Sequence, residues 1–422
     1  MQPIHALSSG QPPAGVAVVR LSGSGSFGIA ERLLGGAALP PPRAAMLRSI
    51  FFPETQQLID KAIIICFAAP HSFTGEDVVE FHCHGSPAVV STLQAALARC
   101  GSRPAEAGEF SRRAFLHGRM DLTGAEALAD LLVAETEAQR HLALSNVDGR
   151  LRRQADSWRQ RLIALLAEIE ADLDFSDEAD VGGDVWRRSG QALGSLIDEL
   201  ERALAAAPVA ERIRHGLVIA IVGPPNVGKS SLLNAIARRE VAIVTPHAGT
   251  TRDVLEVQLD LGGLPAVLLD TAGIRETGDP VEMEGIARAR ARAAAADLVL
   301  DLGPGGNVVN RIDLCGAPPG FRDGRHHLSA KTGAGLAELE QWLAAWAGRQ
   351  IVRGESPLVT TARQQHLLAA TLAGLREAAG QQDAVLAAES LRSAANALGR
   401  MTGLIDPEAV LGAIFSRFCI GK

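Results

Sequence analysis

The sequence has no uninterrupted apolar run of about 18 residues, the length that a membrane-spanning helix needs. Its opening segment, MQPIHALSSGQPPAGVAVVRL, lacks the basic start and long apolar run of a secretory signal peptide. Only five of the 422 residues are cysteines, and no two of them form a C-x-x-C pair. Scattered cysteines favour free thiols in a reducing compartment over a disulfide framework. We therefore expect a cytoplasmic protein with no membrane association.

A net positive charge is also absent. The chain has 41 lysines and arginines against 48 aspartates and glutamates, which gives a formal net charge of −7. Such a chain has no overall electrostatic attraction for nucleic acid, so any RNA contact needs a local basic patch or a more basic partner. The hydrophobic share of 47% and the charged share of 21% are typical of a globular protein. The length suggests two or three domains.

Three textures of sequence divide the chain and predict a multidomain protein with α+β and α/β parts. Over residues 1–118, short apolar runs alternate with Gly and Pro breaks, which predicts strands, turns and a helix over Ser86–Arg99. Residues 119–214 and 351–422 have helical spacing. Between them, in 215–350, apolar strands alternate with helices, which predicts a parallel sheet. The simplest organisation is an all-helical domain split by an inserted α/β domain.

A phosphate-binding loop is predicted at Gly223-Pro-Pro-Asn-Val-Gly-Lys-Ser230, between an apolar strand and a helix. Backbone N–H groups and the helix N-terminus of such a loop surround phosphates. Lys229 reaches the outer phosphates and the Ser230 hydroxyl ligates magnesium. A plain Gly/Pro turn before a helix is the competing interpretation. The predicted nucleotide-binding residues of this loop are Asn226, Val227, Gly228, Lys229, Ser230 and Ser231.

Two switch segments follow the loop. Asp270-Thr271-Ala272-Gly273 comes directly after the apolar run PAVLLD, where Asp270 can hold the magnesium shell through water and the Gly273 amide can contact the terminal phosphate. In the segment GTTRD before it, the Thr251 hydroxyl can complete the magnesium shell only while the terminal phosphate is present. A polar hairpin connection is the alternative interpretation of GTTRD.

The segment Asn310-Arg-Ile-Asp313 predicts guanine recognition, because a carboxylate after a buried strand can accept from two N–H groups that adenine lacks. Ser329-Ala330-Lys331 would support the base with main-chain amides. The second residue of the first motif is usually lysine, whose stem packs over the base. Arg311 can also stack, with different geometry. We favour guanine over adenine.

Two groups that GTPases use for hydrolysis are missing. The glutamine that follows D-x-x-G in Ras-like GTPases orients the attacking water, and here that position is Ile274. Glu276 is the nearest carboxylate that could act, through a bridging water; a solvated loop charge is the alternative. No arginine finger is evident either. The Asn226 side-chain carbonyl offers a place where a monovalent cation could sit between the phosphates and supply the missing charge.

Segments outside the nucleotide motifs carry a more specific resemblance. They are SFTGEDVVEFHCHGSP, AGEFSRRAFLHGRMDLTGAEALADL and the terminal FSRFCIGK, which accompany GPPNVGKSSLLNAIARREVAIVTPHAGTTRD and DTAGIRET. With them the sequence resembles the MnmE (TrmE) family of tRNA modification GTPases along nearly its whole length. The resemblance implies a GTP hydrolase with an N-terminal folate-binding α+β domain, a split helical domain and an inserted Ras-like G domain.

The resemblance also implies ligand-binding residues. Arg20, Glu80, Arg119 and Lys422 match positions that contact a tetrahydrofolate derivative, either 5-formyl or 5,10-methylene; many members have lysine where Arg119 stands. Taken one by one, these residues could equally be surface charges. Glu276 matches the residue that positions the attacking water. Potassium ligation is implied for the set Asn226, Thr245, His247 and Thr250.

The family further implies a homodimer formed through the switch regions. It also implies a heterotetramer with the flavoprotein MnmG (GidA). The two proteins together would install an aminomethyl or carboxymethylaminomethyl group at carbon 5 of uridine 34 in certain tRNAs. Cys419 occupies the cysteine of the C-x-G-K tail, either as a reactive thiol or as a small packing residue. His82 and His84 share a strand face, but without further ligands we favour site-lining or core histidines over a metal site.

One departure from the family concerns the inserted domain. Only Pro304, Gly305 and Gly306 separate the strand segments DLVLDLG and NVVNRIDL. A parallel crossover normally needs about a dozen residues or more, and the family has a helix there. Either the helix and one strand are lost, or the two segments are rearranged. We expect this shortening to weaken nucleotide affinity or guanine selectivity.

Three other functions compete with this interpretation. A ribosome-assembly GTPase would share the nucleotide motifs but carry a basic RNA-binding module and no C-x-G-K tail. A folate-binding relative could have lost its GTPase activity, as the shortened segment and Arg311 suggest. An adaptor for the flavoprotein would not depend on the nucleotide cycle.

Overall fold

The structure is a computed structural model, and its contacts divide the chain into two units. The first unit contains Met1–Ala129, Arg152–Arg159 and Ala395–Lys422, and the second contains Asp130–Leu151 and Gln160–Ala394. The residues described are 1–174, 185–243, 256–270, 294–351, 357–405, 408–416 and 418–421.

The N-terminal part of the first unit is a six-stranded sheet with the strand order β3-β4-β5-β2-β1-β6. All neighbours pair antiparallel except β1 and β6, which are parallel. The strands are β1 (Ile4–Leu7), β2 (Ala14–Ser22), β3 (Met46–Phe51), β4 (Leu58–Phe67), β5 (Val78–Gly85) and β6 (Arg103–Pro104). The helices among them are α1 (Ser26–Leu33), α2 (Pro87–Arg99) and α3 (Glu109–Leu116).

Alternation of side chains along these strands creates one buried face. In β2, Ala17, Val19 and Leu21 are fully buried, while Arg20 between them lies on the other face and is half-buried. Helix α2 covers the buried face through residues such as Leu93 and Leu97. It begins one residue after the predicted Ser86, because Ser86 is the N-cap and the proline that follows suits the first helical turn.

Helices dominate the next part of the chain. They are α4 (Leu122–Leu132), α5 (Glu137–Val147), α6 (Arg150–Asp174), α7 (Val185–Ala205) and α8 (Ala207–His215). Helical structure returns near the end in α12 (Ala362–Gly380), α13 (Ala384–Thr402) and α14 (Glu408–Phe415). Capping boxes define the first residues of α5 and α12: Thr136 with Gln139, and Thr361 with Gln364.

The segment between these helical regions is an α/β fold. Its main sheet has the order β10-β7-β9-β8, in which β7 is parallel to both β9 and β10 and β8 is antiparallel to β9. The elements are β7 (Leu217–Val222), α9 (Lys229–Ala237), β8 (Glu256–Asp260), β9 (Pro265–Asp270), β10 (Leu298–Asp301), β11 (Val308–Val309), α10 (Ile312–Cys315), β12 (Gly320–Arg322), β13 (Arg325–His327) and α11 (Leu336–Gln350). The predicted parallel sheet is confirmed.

The short connection after β10 is a tight turn that contains no helix. Strand β10 stays in the main sheet, whereas β11 pairs parallel with β13 in a second sheet of order β11-β13-β12. Of the two alternatives for this region, the structure therefore shows rearrangement, because the two strand segments belong to different sheets.

No helix within the described ranges combines the length and apolar character that crossing a bilayer requires.

A buried arginine joins two motif segments of the first unit. The Arg113 guanidinium, 2% exposed, donates to both carboxylate oxygens of Glu76 at 3.1 and 3.0 Å and to Glu109 at 3.0 Å. It also donates to the Gln2 carbonyl at 2.9 Å. Burial by itself would raise the pKa of Glu109, but hydrogen bonds from Arg103, the Glu106 amide and Arg113 lower it to about 2. The stabilisation from Glu109 is thus present above its ordinary pKa of 4.5 and is lost as the pH falls towards 2.

Replacing Arg113 with methionine should destabilise this unit by about 3–5 kcal/mol, because two buried carboxylates lose their shared partner. Hydrogen exchange of peptides from β2 and α3 would measure the change in opening free energy. The neighbouring Arg112 is exposed, so Arg112→Met is a matched control that should cost no more than about 0.5 kcal/mol. Equal effects of the two substitutions would contradict the assigned role of Arg113.

Candidate nucleotide site and N-terminal charged cluster

The predicted phosphate loop connects β7 to α9 in the second unit. Gly228 immediately precedes the first residue of α9 and has a φ of 103°, a conformation that favours glycine. A Cβ atom there would collide with the Asn310 side-chain amide. The Lys229 ammonium is buried and donates to the carbonyls of Gly223 at 2.7 Å and Pro224 at 2.9 Å. The Lys229 side chain therefore folds back over the loop. Its ammonium group is predicted to contact the phosphates of a bound nucleotide.

Two predicted magnesium-shell residues meet at the end of the sheet. Parallel pairing of β7 and β9 places Ile221 opposite Asp270, the last residue of β9. The Ser230 hydroxyl, in the first turn of α9, donates to the Asp270 carboxylate at 2.6 Å. Asp270 is 2% exposed. A hydroxyl and a carboxylate this close supply the oxygen donors that a hard divalent cation prefers, so these residues fit the predicted Mg²⁺ site.

The predicted base-reading motif contacts the phosphate loop directly. Asn310 accepts from the Ala330 amide at 3.0 Å, and its side-chain N–H group lies 3.4 Å from the carbonyls of Val227 and Gly228. The exposed Asp313 accepts from the buried Ser329 hydroxyl at 2.5 Å. The structure thus brings both predicted guanine motifs together beside the loop.

Arg311, which stands where lysine is usual, ties the two loops together. Its guanidinium donates to the main-chain carbonyl of Asn226 in a short hydrogen bond. Both residues have left-handed backbones, with φ values of 64° for Arg311 and 60° for Asn226. This contact was not anticipated from the sequence, because it depends on the distance between loops that are far apart along the chain.

Ser231 and Lys331 are exposed at the edges of this arrangement. Several predicted site residues lie outside the described residues: Thr245, His247, Thr250, Thr251, Thr271, Ala272, Gly273, Glu276 and Lys422. Of the predicted potassium ligands, the structure therefore describes only Asn226.

A charged cluster lies on the open face of the N-terminal sheet. Arg20 in β2 is directly opposite Glu80 in β5, and the guanidinium donates to the carboxylate at 3.0 Å. The second oxygen of Glu80 lies 3.2 Å from His82 Nε2. The Arg20 guanidinium also lies over two aromatic rings, 5.4 Å from the centroid of Phe73 and 5.6 Å from that of Phe110.

Sequence reasoning missed the two rings and left His82 without a defined role. The H-C-H alternation was a usable signal for His82, since it places residue 82 on the same face as residue 80. The rings come from a loop and from α3, and only tertiary packing brings them to Arg20.

Arg119 approaches the same cluster through the loop that holds Phe73. It is exposed, and its stem lies beside Gly75, whose added Cβ would stand 3.3 Å from the Arg119 Cγ atom. The neighbouring His117 ring nitrogen lies 2.9 Å from the Thr74 carbonyl. Arg20 and Arg119, the two cationic residues of the predicted folate site that the structure describes, therefore both flank the loop 72–77.

The C-terminal tail packs beside the end of β1 in this unit. Ile420 forms a bridge with Ala107, and the Gly421 carbonyl accepts from the Ser8 hydroxyl at 2.8 Å. Cys419 is exposed, which argues against a role as a packing residue.

The second histidine of the H-C-H segment has an acidic partner. The His84 ring nitrogen lies 2.8 Å from the Asp60 carboxylate. Within the described residues, no group of three or more His, Cys, Asp or Glu side chains is placed to hold a metal ion.

Two protein-family models match this chain. Residues 3–119 match the family model described as GTP-binding protein TrmE N-terminus, and residues 122–419 match the MnmE helical domain. A solved structure of the cytosolic domain of the T. maritima FeoB iron transporter in a GDP form is 18% identical, with a TM-score of 0.22. The match covers 44% of this chain and 98% of the FeoB chain. At that TM-score the likeness carries no argument.

Curated relatives match over the full length. A tRNA modification GTPase MnmE from Rhodopseudomonas palustris (strain BisB5) is 49% identical over 459 residues, which covers 100% of this chain and 99% of the relative. One from Brucella canis is 48% identical over 437 residues, covering 99% and 98%. The first alignment is longer than the chain itself, so that relative has residues that this chain lacks. The predicted family and enzyme class are confirmed: this chain belongs to the MnmE family of tRNA modification GTPases.

Proposed function

We propose that this chain is a potassium-stimulated GTPase that works with a flavoprotein to modify uridine 34 of certain tRNAs. The product would be an aminomethyl or carboxymethylaminomethyl group at carbon 5, built from a folate one-carbon unit. One observation carries the GTPase proposal: the phosphate loop, the Ser230–Asp270 pair and the Asn310–Asp313 motif converge in one unit. Following the predicted bounds, GTP would bind in domain 215–350 and the folate in domain 1–118.

In the proposed reaction, the chain's own groups bind and orient GTP. The Lys229 ammonium would exchange its two carbonyl partners for phosphate oxygens, since a charged acceptor forms the stronger hydrogen bond. Asp313 would accept from the guanine N–H groups, with the Ser329 hydroxyl holding the carboxylate in place. Ser230 and Asp270 would hold Mg²⁺, which neutralises charge on the phosphates when bound.

Potassium would supply the positive charge that an arginine finger provides elsewhere. Asn226 stands in the loop with an exposed side chain and a left-handed backbone, a position from which its carbonyl can face the phosphates. The family resemblance adds Thr245, His247 and Thr250 as further ligands and assigns Glu276 to the attacking water. Glu276 would orient that water for attack in line with the leaving phosphate oxygen.

The N-terminal cluster supports a folate site. Glu80 can accept from the N–H edge of a pterin, while Arg20, Arg119 and Lys422 can pair with the glutamate carboxylates of the folate tail. The Phe73 ring is 38% exposed and offers an apolar surface to a flat heterocycle. The half-buried Arg20–Glu80 pair can open when a ligand offers each charge a new partner.

The acidic chain would leave much of the tRNA contact to its partner, for which we propose the flavoprotein MnmG in a heterotetramer built on a homodimer. A net charge of −7 gives no general attraction for RNA. We propose that this assembly is cytoplasmic, in line with the scattered free cysteines.

Steady-state GTP hydrolysis should be on the order of tenfold or more faster in potassium than in sodium at equal ionic strength, because the cation stabilises charge on the transferring phosphate. The measurement uses the purified full chain with Mg²⁺, and ATP serves as the nucleotide control. Equal, near-zero rates in both salts would sink the active-GTPase proposal and favour a folate-binding relative that has lost the activity.

The Glu276→Ala variant, assayed alongside the chain without substitutions, distinguishes an enzyme from an adaptor. An enzyme driven by its nucleotide cycle loses both GTP hydrolysis and tRNA modification with the partner present, whereas an adaptor keeps modifying tRNA. Glu240, an exposed residue just after α9, gives the matched control Glu240→Ala.

Glu80→Gln should weaken the binding of 5-formyltetrahydrofolate by about tenfold or more, because a charge-assisted hydrogen bond to the pterin is lost. Titration calorimetry on the full chain measures the affinity. GTP hydrolysis should stay at the level of the unmodified chain, since Glu80 belongs to the other unit. Glu54 is exposed in the β3–β4 turn and provides the control Glu54→Gln. Unchanged folate affinity in Glu80→Gln would remove this residue from the site.

A further inference from the structure

The turn that replaces the missing crossover helix is closely packed. The Leu302 amide donates to the Val222 carbonyl at 2.9 Å, which extends the β10–β7 pairing by one residue. The Gly306 amide then donates to the Gly303 carbonyl, also at 2.9 Å. A Cβ atom on the buried Gly306 would collide with the Asp301 carbonyl. The chain therefore returns along the outer side of β10 immediately after leaving it.

Asn307 stands at the end of this turn and bonds to the outer edge of β10. Its side-chain N–H group donates to the Val299 carbonyl at 2.8 Å, and its side-chain oxygen accepts from the Asp301 amide at 2.8 Å. A residue of a parallel neighbouring strand makes this same pair of bonds, to the residues before and after its partner. The carboxamide thus makes the two bonds that one peptide group of a parallel neighbouring strand would make.

The β10 edge needs such a partner. Among the strands that the structure describes, β10 pairs only with β7, so β10 is the edge strand on its side of the main sheet. Unpaired N–H and C=O groups at an edge are open to water or to other chains. Asn307 is half-buried, and its two bonds satisfy two groups of the β10 edge, the Val299 carbonyl and the Asp301 amide.

The main chain of Asn307 joins the second sheet. Its carbonyl accepts from the His326 amide at 2.8 Å, and the Val309 carbonyl accepts from the Leu328 amide at 2.9 Å. These bonds continue the parallel β11–β13 pairing on both sides of its register. One residue is therefore bonded to the main sheet through its side chain and to the small sheet through its backbone.

The base-reading motif begins three residues later and depends on this junction. Asn310 reaches the Val227 and Gly228 carbonyls and the Ala330 amide, so its position relative to the phosphate loop is tightly constrained. The turn itself touches the start of that loop, since a Cβ on Gly223 would lie 3.2 Å from the Gly303 nitrogen. The spacing between phosphate loop and base-reading motif is set across this turn.

We propose that Asn307 is a positioning residue for guanine recognition, in which its carboxamide bonds to the open edge of β10 and holds the Asn310–Asp313 motif against the phosphate loop. The inference rests on the proposed GTP binding and deepens it. It also explains how this G domain tolerates a connection too short for a crossover helix.

The test compares nucleotide selectivity in the full chain and in Asn307→Leu, which removes both side-chain bonds at similar size and without changing charge. Calorimetry measures the dissociation constants of GDP and ADP. We expect GDP binding to weaken by about tenfold, the loss typical of hydrogen bonds left unmade, and the weak ADP binding to stay unchanged. ADP reports the phosphate loop alone, so the GDP-to-ADP ratio reports the base-reading motif.

Asn396→Leu on the exposed side of α13 is the matched control, and it should alter neither constant. Unchanged GDP affinity in Asn307→Leu would overturn the inference, and so would an equal loss of GDP and ADP binding, which indicates general loosening. If Asn307→Leu does not fold, Asn307→Gln is used instead. Its GDP-to-ADP affinity ratio then decides whether the inference holds. A chain without substitutions that shows no preference for GDP would instead sink the proposed function.

Discussion

The register between the parallel strands β7 and β9 is the constraint on which the nucleotide site depends. It places Ile221 opposite Asp270, so the phosphate loop begins at the sheet edge where β9 ends. A carboxylate that is almost fully buried is costly without a partner, and the Ser230 hydroxyl provides one at 2.6 Å. A shift of one residue along this register would turn Asp270 to the opposite face of the sheet and away from Ser230.

Two arginine–glutamate arrangements in the N-terminal unit use the same chemistry with different consequences. The Arg113 and Glu76 side chains are 3% and 9% exposed, so water and ligands are excluded and the pair is structural. The Arg20 and Glu80 side chains are 20% and 16% exposed and lie beside Phe73 and His82. The Arg20–Glu80 pair is open to solvent on one side. A ligand with its own charges can therefore pair with each of these two residues in place of their bond to one another.

The shortened G domain keeps the sheet that precedes the predicted phosphate loop and rearranges the part that carries the predicted base-reading motif. Strand β10 pairs with β7 in parallel, and the following strand moves into a separate sheet with β12 and β13. The junction relies on polar contacts between side chain and backbone at Asn307 and on the absence of a side chain at Gly306. The Arg311 guanidinium adds a direct bond between the two loops.

The sequence by itself determined the parts of this protein that rest on local signals. The phosphate loop, the parallel strands and the cap of α2 at Ser86 follow from neighbouring residues, since capping, glycine conformation and apolar periodicity act over a few positions. Motifs outside the nucleotide site identified the family. Only the tertiary structure decided that Ser230 meets Asp270, that Arg20 meets Glu80, and that Asn307 bonds to β10. These contacts join residues distant in the chain, and their geometry depends on strand register and loop length, which no local pattern encodes.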